Sequence, residues 1–97
     1  MKPDVRDIGA WLKAQRVYHA ARAQEYAARC IAEAALDSAT LESFALESDH
    51  GSAFSLQEAQ RAAEASLEWL ARATERRQHA SKAAGAALLK ARGLSDG

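Results

Sequence analysis

Apolar positions recur along this chain at spacings of three, four and seven, the mark of a helix that turns one face toward a partner. In the first half the stripe runs through Ile8, Trp11, Leu12 and Tyr18, then Ala21, Ala28, Ile31, Ala34 and Ala35, then Leu41, Phe44 and Ala45. In the second half it runs through Leu56, Ala59, Ala63, Leu67, Leu70 and Thr74, then Ser81, Ala84, Leu88 and Ala91. Arg77 also falls on this stripe, as a side chain able to snorkel outward. Between the halves lies Asp49-His50-Gly51-Ser52-Ala53-Phe54-Ser55, rich in residues that stop helices and make turns. The pattern predicts an all-α protein: helix 1 over about residues 4–48, a turn over 49–55, and helix 2 over about 56–92. A short connection between two helices makes them antiparallel neighbours.

Local signals refine the boundaries. Asp4 can cap helix 1 with Pro3 just outside and Asp7 in the first turn. Gly9 is a soft spot that can delay the start to Ala10. Ser55-Leu56-Gln57-Glu58 has the form of a capping box opening helix 2, and Gly93 suits the stop that closes it. Asp37-Ser38-Ala39-Thr40 is a weak point where helix 1 either bends or breaks, and a continuous, bent helix is the reading adopted. Gly85, inside helix 2, implies close packing over it, since it costs about 1 kcal/mol against alanine there.

Pairing positions whose numbers sum to about 104 sets large residues against small ones. Trp11, Leu12 and Tyr18 then oppose Ala84 to Leu88, and Leu67, Trp69 and Leu70 oppose Ala32, Ala34 and Ala35. Composition adds a constraint. Apolar residues make up 48% of the 97, but 25 of them are alanine. Alanine buries little area, so a single hairpin has a thin core, and self-association into a homodimeric four-helix bundle is expected.

Charge changes the picture again. Thirteen basic groups balance thirteen acidic ones, yet residues 1–29 carry +3, 30–68 carry −7 and 69–97 carry +4. Folded as a hairpin, this predicts an acidic tip (Glu42, Glu47, Asp49, Glu58, Glu64) and a basic end (Arg16, Arg22, Arg72, Arg76, Arg77, Lys82). Such segregation serves either head-to-tail pairing of two copies or docking on a partner of opposite charge; a merely solvated charged surface is the bland alternative.

Catalytic and cofactor chemistry finds little support. The nearest metal-like spacing, Glu75 with His79, shares its face with Arg72 and Arg76 and reads as a solvated ion pair. His19 and Tyr26 share a face with Leu12 and could line a pocket, though an ordinary helix interface is the commoner role. His50 lies in the turn and is expected to be exposed. Cys30, the single cysteine, excludes an intrachain disulfide, points to a reducing compartment and reads as a buried, unreactive thiol. No phosphate loop, paired-cysteine zinc spacing or nucleophile elbow occurs. Met1 to Asp7 does not read as a secretory leader, and no apolar run reaches membrane-spanning length, so a cytoplasmic location is expected. No cofactor, metal or catalytic residue is expected. The expected function is a non-catalytic helical module that binds another protein. The runners-up are a phage-type inhibitor whose acidic tip mimics nucleic acid, and a nucleic-acid-binding dimer using the basic end, the latter not favoured by the neutral total.

Overall fold

The computed structural model describes residues 4–93. Two helices, α1 (Val5–Glu47) and α2 (Ala53–Ala91), pack against each other as an antiparallel hairpin, with no strand among the described residues. Both helices are long, 43 and 39 residues.

Asp4 caps α1 as expected. Its carboxylate accepts from the Arg6 N–H at 3.0 Å, and its carbonyl accepts from Asp7 and Ile8 at 3.0 and 3.1 Å. The first turn is thus closed before Gly9, so the glycine lies inside the helix and does not delay its start. The helix also runs unbroken through Asp37 to Thr40. The Thr40 hydroxyl donates to the Leu36 carbonyl at 2.9 Å, so a group that could compete with the helix is held within it.

The turn is built from two interlocking caps. At the end of α1, Asp49 adopts a left-handed conformation with φ 61°. The His50 N–H reaches the Ala45 carbonyl at 2.8 Å and the Asp49 N–H reaches Leu46 at 3.2 Å, the paired bonds of a Schellman stop. Gly51 then lies so close to α1 that a Cβ there would come within 3.0 Å of the Ala45 Cβ and the Leu46 nitrogen. Helix 2 restarts three residues earlier than the capping-box reading placed it. Ser52, rather than Ser55, is the cap: its hydroxyl oxygen accepts from the Ser55 N–H at 3.1 Å, and its carbonyl accepts from Leu56 at 3.1 Å. The Ser52 hydroxyl in turn donates to that of Ser55 at 3.0 Å. Either serine can cap; the compact stop at Asp49 frees the nearer one. Gly93, at φ 71°, ends α2 as expected.

The hairpin divides into two compact units: unit 1 comprises Met1–Gln24 with Thr74–Gly97, and unit 2 comprises Glu25–Ala73. In unit 1 the seam runs through Trp11, Ala14, Tyr18 and Ala21 on α1, and Arg77, Ala80, Ala84, Ala87 and Ala91 on α2, with Asp7, Gln15, Thr74 and Leu88 half-buried beside it. In unit 2 the seam positions are Glu25, Ala28, Ala32, Ala35, Ala39 and Glu42 on α1, and Leu56, Ala59, Ala63, Ser66, Leu70 and Ala73 on α2, with Ser43, Ala45 and Ser55 half-buried beside them. Within each unit the seam positions step alternately by three and four, an average of 3.5 and therefore a coiled-coil seam. All eight buried hydrophobic side chains among the described residues are alanine, and Glu25, 9% exposed, joins them.

This corrects the large-against-small pairing. Ile8, Leu12, Ile31, Leu41, Phe44 and Leu67, assigned inward by the apolar stripe, are exposed, as are Ala34 and Ser81. Alanine takes the most deeply buried places on the seam, and the larger Trp11, Tyr18, Leu56 and Leu70 are half-buried along it. Gly85 is corrected as well: it is exposed, and nothing lies within 4 Å of where its Cβ would be.

Candidate functional site

Because alanine takes the fully buried places, most of the large apolar side chains lie outside the seam. Fourteen large hydrophobic side chains among the described residues are exposed.

Both flanks of the seam carry exposed large apolar side chains, Leu12, Tyr26, Leu36 and Leu67 on one and Val17, Ile31, Leu41 and Trp69 on the other. In unit 1 the latter flank carries Ala10, Val17 and Ala20 from α1, with Ala83 and Ala86 from α2. In unit 2 the flank on the same side of each helix carries Ala27, Ile31, Ala34 and Leu41 from α1, with Ala62, Ala65 and Trp69 from α2. Ile31, Leu41 and Trp69 are 47%, 68% and 41% exposed. The unit 1 flank is indented by a groove of about 480 Å³, its floor formed by Ala20, Ala21, Ala80 and Ala83, with Val17, Gln24, Arg76 and His79 completing the lining. The hollow follows from the alanines: no side chain on the floor extends beyond a methyl group.

The division into units sharpens the charge pattern. Unit 1 has ten Lys and Arg against four Asp and Glu, net +6; unit 2 has three against nine, net −6. All five acidic-tip residues fall in unit 2, though not on one face. Glu42 is half-buried on the seam, Glu47 and Asp49 sit at the α1 stop, and helical spacing puts Glu58 and Glu64 on opposite flanks of α2. Of the basic-end residues, Arg16, Arg22, Arg76, Arg77 and Lys82 fall in unit 1, and Arg72 falls in the acidic unit. Arg77 is half-buried on the seam, Arg76 borders the groove, and Arg22 stands 5.8 Å from the Tyr18 ring centroid on the other flank.

Other candidates are relocated. Cys30 is exposed rather than buried, because it lies on the outer side of the helix, midway between the seam alanines Ala28 and Ala32. His19 and Tyr26 are exposed and do not line the groove; it forms on the opposite flank. His50 is exposed, as expected. No three His, Cys, Asp or Glu side chains among the described residues converge as a metal-binding group. The Trp11 indole N–H is buried without a hydrogen-bond partner. No helix among the described residues is long and apolar enough to cross a membrane.

The groove was missed because alanine was read as filler. Its signal is a seven-residue repeat of small residues, at Ala14, Ala21, Ala28 and Ala35 on α1 and at Ala59, Ser66, Ala73, Ala80 and Ala87 on α2, which marks the seam. The chain matches no protein-family model, no curated protein and no solved structure.

Proposed function

We propose that this chain is a non-catalytic helical module that binds another protein through its exposed apolar flank, with its segregated charges setting orientation. The observation that carries this reading is the inversion of burial: alanine inside, Ile31, Leu41 and Trp69 outside. Contiguous exposed apolar surface of this kind marks an interaction site, and an aromatic side chain is a common anchor at such sites. The test is retention of host proteins on the immobilised chain, compared with an Ile31→Ser, Leu41→Ser double variant. The variant should keep its helical circular dichroism and lose the captured partner; capture that is unchanged overturns the reading.

A second reading draws on the nine acidic groups of unit 2: an inhibitor of phage type whose acidic surface occupies a nucleic-acid-binding protein. Acids distributed around the unit, rather than on one face, suit a mimic of a duplex backbone. It requires that Glu58→Lys, Glu64→Lys chains lose their hold on basic partners, and that salt well above 0.1 M releases the parent chain; binding insensitive to both removes it.

A further inference from the structure

We infer that the occupant of this flank is a second copy of the same chain, paired so that Trp69 of each copy enters the Val17–Ala83 groove of the other. The inference rests on the apolar flank being a protein-binding surface, and it names the partner.

Two observations converge on a second copy. The first is charge. With +6 on unit 1 and −6 on unit 2, a second copy supplies both complements at once, whereas pairing like units would oppose like charges. An isologous pair therefore has unit 1 of each copy on unit 2 of the other.

The second is shape. The groove in unit 1 is a hollow lined by Ala20, Ala21, Ala80 and Ala83. The matching flank of unit 2 carries the exposed Trp69 among Ala62, Ala65 and Ala34, with Ile31 and Leu41 exposed as well. An indole in the groove has methyl groups beneath it and the Arg76 guanidinium at the border, a cation able to lie against its face. Gln24 and His79, also bordering the groove, can accept from the indole N–H. Ile31 and Leu41 would be covered by the same approach, against the alanines that flank the groove.

The test uses the full chain. Sedimentation or light scattering at micromolar concentration should give twice 10.4 kDa. Trp69→Ala and Ala83→Glu should each weaken self-association by about 30-fold or more, as loss of an interface anchor does, while helicity is retained. Gln78→Glu, on the other flank, should leave it unchanged. A cross-linking measurement guards against variants that fold poorly. With Cys30→Ser in both, chains carrying Ala65→Cys and chains carrying Ala83→Cys should form a disulfide-linked pair on mixing, faster than either does alone.

A monomer throughout the micromolar range overturns the inference. So does a dimer indifferent to Trp69→Ala and Ala83→Glu with no preference for the mixed cross-link. A monomer that still captures a different protein through Ile31 and Leu41 sinks the second copy and leaves the interaction module standing; a monomer with no flank-dependent binding sinks both.

Discussion

Gly85 and Gly51 respond oppositely to the same substitution. At Gly85 the surroundings are open, so Gly85→Ala should raise stability by about 1 kcal/mol through helix propensity alone, read as a higher midpoint in thermal or urea unfolding. At Gly51 the added methyl meets the α1 backbone at 3.0 Å. Gly51→Ala should lower stability by about 1–3 kcal/mol, as overpacking does, and the same unfolding curves decide it. Neither outcome could be read from the glycine itself: the sequence pointed to a crowded Gly85, and the crowded glycine is Gly51. Asp49 belongs with them. Its left-handed backbone is tolerated by aspartate but better suited to glycine, so Asp49→Gly should stabilise the turn by about 1 kcal/mol, and a fall in the unfolding midpoint would contradict the Schellman geometry.

At the scale of the helix, identity matters less than position relative to the seam. Ala28 and Ala34 are the same residue on the same helix, one fully buried and one exposed. Ala28→Leu should cost about 1–3 kcal/mol by forcing the helices apart, while Ala34→Leu should change monomer stability by less than about 0.5 kcal/mol; equal effects would mean the seam is not where the structure places it. Helix existence, the Asp4 cap and the Gly93 stop were legible, because propensity and capping are local. The shift from Ser55 to Ser52 was not, since the choice between two competent serines depends on how α1 ends. The unbroken passage through Thr40 was the reading adopted from the sequence, and the Thr40 hydroxyl bonding within the helix is what the structure adds.

For the molecule as a whole, the two opposite net charges make the proposed self-association a property that salt should tune. Raising ionic strength shortens the screening length to about 10 Å at 0.1 M, so the dimer dissociation constant should increase with salt; sedimentation across a salt series reads this directly, and a constant value would mean that apolar contacts alone hold the pair. Charge segregation was visible in the thirds of the sequence because it needs only the knowledge that the chain doubles back. Its spread over several faces of each unit was not, since that depends on where the seam runs.

The amino-acid order alone determined two helices, the turn between them and which segments are positive or negative, because each follows from contacts within a few residues or from simple counting. Only the tertiary structure decided which stripe is buried. A helix has 3.6 residues per turn, so over forty residues several stripes fit a loose apolar pattern almost equally well. The choice among them is made by how closely two backbones can approach, which is a property of the facing pair. Here alanine takes the fully buried places, and fourteen large apolar side chains among the described residues stay exposed.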